Sequence, residues 1–198
     1  MDDMNPKMML TSLVPWAAFT LIAGHAGADY VGLAALLATA LAVGVAVKNG
    51  LRHAKLIDLT GVTTFGLMTV VSFLGDHGVR QNIVEYGRGS CALVLAVVML
   101  GSLLFVPFTE QYAREAVPQQ FWNSPTFHSV NRQISAAFGL AILAMAASHL
   151  VSGYLEATSG LPTRTNLMLN WIVPVVLILG ALKYTARITE PATEAARG

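Results

Sequence analysis

The sequence predicts an all-α, polytopic bundle of six transmembrane helices arranged as three hairpins. Three observations point there: six apolar runs of membrane-crossing length, a charged fraction of 12% in a chain that is 55% hydrophobic, and basic residues gathered in alternate connections. A soluble domain carries roughly 25% charged residues, so this composition suits a chain solvated by lipid. The six runs use up most of the 198 residues, and 1–198 therefore reads as a single transmembrane domain.

The first run, Met9 to Ala26, follows an acidic start and a lone Lys7. With no basic leader and no small-residue cleavage site, it reads as a retained span and not as a signal peptide. Pro15, Gly24 and Gly27 interrupt it, which keeps open a five-span alternative with this segment re-entrant. The second run, Tyr30 to Val47, stops at the basic turn Lys48, Arg52 and Lys55. Ile57 to Leu74, Ser90 to Phe108, Ile134 to Leu155 and Leu167 to Tyr184 complete the set. Each is close to the roughly 20 residues that cross a hydrocarbon core about 30 Å thick. None alternates apolar and polar residues as barrel strands do.

Lys and Arg are retained on the cytoplasmic side, and they fix the direction. With the N-terminus inside, nine of the twelve fall on the cytoplasmic face, leaving Arg80, Arg88 and Arg164 outside. Both termini are then cytoplasmic. The segments Ala17 to Leu21, Thr63 to Leu67 and Ala136 to Leu140 each set two small residues before Phe, a third residue and Leu, an echo that parallel hairpins would produce.

The long polar interruption, 107–132, becomes an interfacial cytoplasmic loop. Pro107, Pro118 and Pro125 divide it and leave room only for short helices or turns. Its aromatic residues interleave with polar ones, which suits a segment at headgroup level. Asn123-Ser124-Pro125 signals a turn, with Ser129 or Asn131 as the expected cap of the next helix. Tyr112, Arg114, Glu115, Trp122, Pro125, Phe127, Asn131 and Arg132 are the candidate residues for contact with a partner protein or with lipid.

Pro125-x-Phe127-x-x-Val130-Asn131 leads into an apolar helix, after Pro107-Phe108 and a short Gln/Arg/Glu-bearing loop, and the basic turn from Lys48 to Lys55 stands earlier. In these features the chain resembles the intracellular septation protein A family of bacterial inner-membrane proteins. Phe127 stands where that family is expected to have tryptophan. The resemblance implies a place in the bacterial inner membrane and a role in envelope biogenesis or division through contacts with other membrane proteins. It supplies no catalytic residues.

A net charge of +1 without a basic face argues against nucleic acid as a partner. Cys91 is alone and forms no internal disulfide. His25, His77 and His149 fall near the outer ends of three helices and are the candidates for a metal or haem site, although no His-x-x-His spacing supports them. In the same region Glu85 and Arg88, three residues apart, are expected to pair. No run carries a central charge, which argues against a proton-driven pump. The reading is of a non-enzymatic scaffold without a cofactor, in contact with lipids and membrane proteins, its self-association open. The alternatives are a small transporter or channel-like bundle for a neutral or lipid-like molecule, with Thr20, Thr63, Thr64, Ser72, Ser102, Ser135, Ser148 and Asn170 along its path, and a metal or haem protein using the outer histidines.

Overall fold

The computed structural model describes residues 6–50 and 54–195. Arg52 and Arg197, which contributed to the orientation argument, lie outside the described residues. The described chain is helical throughout, without strands: α1 (Pro6–Lys48), α2 (Leu56–Leu74), α3 (His77–Gly101), α4 (Glu110–Ala116), α5 (Pro125–Ser159), α6 (Thr163–Leu167) and α7 (Val173–Ala195). A π-turn, Met168–Ile172, joins the last two. Five helical segments are long and apolar enough to cross a membrane, and a shorter apolar arm of α1, Met9–His25, precedes them.

Helix α1 does not run straight. At Gly27 the backbone takes φ 66° and ψ 177°, a conformation open to glycine and strained for other residues. The ring nitrogen of Trp16 and the β-carbon of Ala42 both come within van der Waals range of Gly61. In an unbroken helix those residues would stand about 39 Å apart. The two arms therefore lie side by side. Pro15, within the first arm, does not end it.

Small residues set the helix spacing, as expected where lipid removes the hydrophobic drive between spans. Ala34, Ala38, Ala42 and Ala46 are all buried, forming one stripe along the second arm. Across α3 and α5, Gly153 meets Glu85, Gly89 meets Leu150 and Gly139 meets Leu100. As the α3 partner moves from 85 to 100, the α5 partner falls from 153 to 139, which is an antiparallel register.

Phenylalanines fill the space the small residues leave. Phe19, Phe65 and Phe138, the aromatic members of the three echoed segments, are fully buried, while Leu21, Leu67 and Leu140 two positions later are exposed. Two steps of 100° turn a side chain to the opposite face of a helix, so the echo is one burial pattern used three times. Trp16 stacks edge-on against Phe65 at 4.9 Å, and Phe19 lies 5.4 Å from the same ring. The last membrane-length segment, Thr163–Glu190, is 11% buried against 33–44% for the other four, so it rides on the rim.

The sequence placed the start of the fourth apolar run at Ser90. Helix α3 begins thirteen residues earlier, because Asp76 accepts a hydrogen bond from the Val79 amide at 2.9 Å and caps it there. At the start of α5 the cap is Ser124, which accepts from the Phe127 amide at 3.1 Å, with Pro125 in the first turn. Ser129 and Asn131, the expected caps, lie inside the helix.

Candidate functional site

The segment 107–132 folds against one end of the bundle. A 3₁₀ turn, Ser102–Leu104, ends α3; α4 follows, then a second 3₁₀ turn, Gln119–Phe121. Phe108 is pinned from below, its amide donating to Ser102 Oγ at 3.0 Å. Thr109 fastens the loop to α5: its hydroxyl donates to the Asn131 carbonyl and lies 2.9 Å from Ser135 Oγ. Gln111 fastens it to α2 by accepting the Leu56 amide at 2.8 Å. These bonds satisfy backbone groups that an unanchored loop would leave to water.

Charge is laid over this framework. Glu110, almost fully buried, accepts from Arg114 at 3.1 Å and pairs with His128 of α5 at 2.8 Å. Lys55, also buried, reaches Glu115 at 3.0 Å and lies 4.3 Å above the Tyr112 ring. Arg114 lies over Trp122 at 5.5 Å, and the indole N–H donates to the Val117 carbonyl at 2.8 Å. Ala54, Lys55, Gln111, Arg114, Glu115 and Trp122 together line an open cleft of about 460 Å³. It offers one indole face, a guanidinium and a carboxylate, which suits an amphipathic segment better than a simple anion.

Beneath the cleft lies a buried polar cluster. Asp58 accepts from Asn49 Nδ2 at 2.8 Å through one oxygen, while its other oxygen, Ser12 Oγ, Trp16 Nε1 and Tyr112 OH take no hydrogen bond among the described residues. Burial pushes the Tyr112 phenol well above its ordinary pKa; the nearby Ser12 hydroxyl pulls the other way, and the Asp58 and Glu115 carboxylates add to the rise. Tyr112 is therefore a neutral structural phenol.

The eight candidate residues of the loop thus divide. Tyr112, Phe127 and Asn131 are buried, and the Asn131 carbonyl accepts the Thr109 hydroxyl that ties the loop to α5 at 2.9 Å. Arg114, Glu115 and Trp122 converge on the cleft. Pro125 opens α5, and exposed Arg132 closes over the end of α3 by donating to the Leu103 carbonyl at 3.1 Å. Sequence reasoning missed Lys55, Gln111 and Asp58 as members of this region. The available signal was Lys55 and Asp58 three residues apart at the edge of an apolar run.

At the opposite end, the outer histidines do not gather. His25 bonds the Leu21 carbonyl of its own helix at 2.9 Å, His77 lies 4.0 Å from Asp29, and His149 is buried with its Nδ1 2.8 Å from Asn170 Oδ1. Among the described residues no three His, Cys, Asp or Glu side chains form a metal-holding group. The expected Glu85 and Arg88 pair does not form, since Glu85 takes Gln81 at 2.8 Å and Arg88 turns to Gly24. Of the hydroxyls offered as a transport path, Thr20, Thr63 and Ser72 return to carbonyls four residues back, and Ser148 donates to the Leu169 carbonyl.

Comparison of the chain with family models, with curated proteins and with solved structures finds no match.

Proposed function

We propose that this chain is a six-crossing protein of a bacterial inner membrane, with both termini cytoplasmic, that acts without catalysis by docking another membrane protein of the envelope or division machinery. The occupant assigned to the cleft is an amphipathic juxtamembrane segment of that partner, its apolar side on Trp122 and its charges on Arg114 and Glu115. One observation carries the reading: these three side chains, from two short elements, are held at one cleft by a loop bonded to both α2 and α5. A preorganised surface binds with less ordering cost than a free loop would. The sixth crossing is the Met9–His25 arm, and the resemblance to septation protein A supplies the compartment and the class of partner.

The test is a pull-down from solubilised membranes with Arg114→Ala and Trp122→Ala combined. Both side chains are at least partly exposed, so the variant should accumulate normally and lose its membrane-protein partner. Retention of every partner by a normally accumulating double variant removes the reading.

A further inference from the structure

The other end of the bundle holds a cation without a counterion. Arg88 projects from α3 into the space beside Gly24, where an added β-carbon would lie 3.1 Å from Cζ, Nη1 and Nη2 alike. Equal approach to three atoms of one planar group means that the guanidinium lies flat against the first arm of α1. It is partly buried, and no hydrogen bond or ion pair reaches it from the described residues. The acidic residues described at this end are all engaged elsewhere. Asp29 lies by His77, Asp76 caps α3, Glu85 takes Gln81, and Glu156 accepts the Leu161 amide at 3.2 Å.

Neutral hydrogen-bonding groups stand near the same point. Gly89, next to Arg88, packs on Leu150, next to His149. His149 is held by Asn170, whose amide nitrogen donates to Ser152 Oγ at 2.6 Å and to Asn166 at 3.3 Å. Asn170 sits in the π-turn, where one extra residue per turn swings the side chain towards α5. Such turns inside helices recur at binding and catalytic sites. With Nδ1–H donating to Asn170 Oδ1, the neutral His149 ring presents Nε2 as an acceptor, so the anion falls to Arg88 and not to the imidazole.

A guanidinium held flat against a helix, partly buried and without a counterion, is a ready partner for an anion. We infer that the Arg88 guanidinium, lying against Gly24 of the first arm, forms a binding site for a phosphate group, of the kind a phospholipid headgroup or a soluble phosphate ester presents. Three points favour phosphate. The guanidinium fork matches two phosphate oxygens at once. The acidic residues described at this end are engaged elsewhere, so one negative charge completes the site. Gly24 is three residues from the Gly27 reversal, about 5 Å along the helix, which is headgroup depth for a hairpin that turns at the membrane surface.

The test uses the full chain, delipidated in an uncharged detergent and titrated with short-chain phosphatidylglycerol, with inorganic phosphate, or with chloride at matched ionic strength, the melting temperature being read each time. Wild type should be stabilised saturably by at least one phosphate-bearing arm and not by chloride. Saturation by the lipid alone assigns a headgroup; saturation by inorganic phosphate assigns a soluble source. Arg88→Gln should weaken the effect by about tenfold or more, since it removes a charge-assisted hydrogen-bond donor. Where Arg88→Gln does not accumulate, Arg88→Lys keeps the charge, loses the fork and should bind severalfold more weakly. Wild type that responds to no arm beyond chloride, or a folded Arg88 variant that binds as wild type does, overturns the site.

Discussion

Gly153 of α5 lies directly against the carbonyl of Glu85 on α3, so closely that a β-carbon at 153 would fall inside the oxygen's contact radius. The obstacle is backbone, which cannot rotate away as a side chain can. Gly153→Ala should therefore force the helices apart and cost about 1–3 kcal/mol, the range for overpacking. Gly66, with open space where its β-carbon would stand, is the control. Thermal unfolding in detergent should show a lower midpoint for Gly153→Ala than for Gly66→Ala, and equal midpoints would refute the close crossing.

Glu110 holds the loop through two partners, Arg114 on its own helix and the His128 ring on α5. Glu110→Gln keeps the shape and removes the charge. Because Arg114 and His128 are each nearly half exposed, water recovers much of what they lose, and the cost should be about 1–2 kcal/mol, below that of breaking a fully buried pair. Limited proteolysis should then cut between 107 and 132 faster than in wild type. An unchanged cleavage rate would mean that the neutral bonds of Thr109 and Gln111 hold the loop unaided.

Tyr112 sets a pH dependence. Its phenol ionises above the ordinary value of 10.0 in the folded chain, whereas the unfolded chain ionises at about that value. Below pH 10 both states are neutral and stability is unaffected; above it only the unfolded state gains from losing the proton, so stability falls as pH rises. Tyr112→Phe should flatten that alkaline decline and remove the latest-titrating phenol from an absorbance titration. Persistence of the late component in Tyr112→Phe would assign it to another tyrosine.

The proposed topology would place Gln119 and Ser159 on opposite sides of the membrane. Single cysteines at the two positions, read in intact cells with an impermeant maleimide, should label at 159 and stay silent at 119 until the membrane is opened. The native Cys91 is buried and should contribute little background. Labelling of both positions in intact cells would contradict the assigned topology.

Five of the six runs form helices of membrane-crossing length, legible because apolar length alone reports them, while the first forms a shorter arm; the three echoed Phe positions announced one packing pattern. Breaks were harder. Pro15 and Gly27 both interrupt the first run, yet only Gly27 bends it, since a helix can carry a proline whereas φ 66° ends the regular ladder. The long polar start of α3 reads as a loop until Asp76 is seen to cap it. In the loop, aromatic and charged residues looked alike as surface candidates. Burial separated Tyr112, Phe127 and Asn131 from Arg114, Glu115 and Trp122, and burial there depends on contacts from α2 and α5 that no local pattern encodes. Arg88 and Glu85 fit a helical pairing rule, but the room left by Gly24 drew the guanidinium away.

The Met9–His25 arm has 17 residues, about 25 Å of helix, while the hydrocarbon of a typical bilayer is about 30 Å thick. Leu10, Val14, Leu21 and Ile22 leave one side of that arm facing outwards. With that arm as the sixth crossing proposed above, lipids touching it would shorten their chains by a few ångströms, whereas those beside the long helix α5 would not. The protein would then sit in its membrane as a wedge, thinning the bilayer along that flank. A second molecule or a neighbour with an equally short flank would relieve that deformation by standing next to it, an attraction supplied by the bilayer without any contact between side chains.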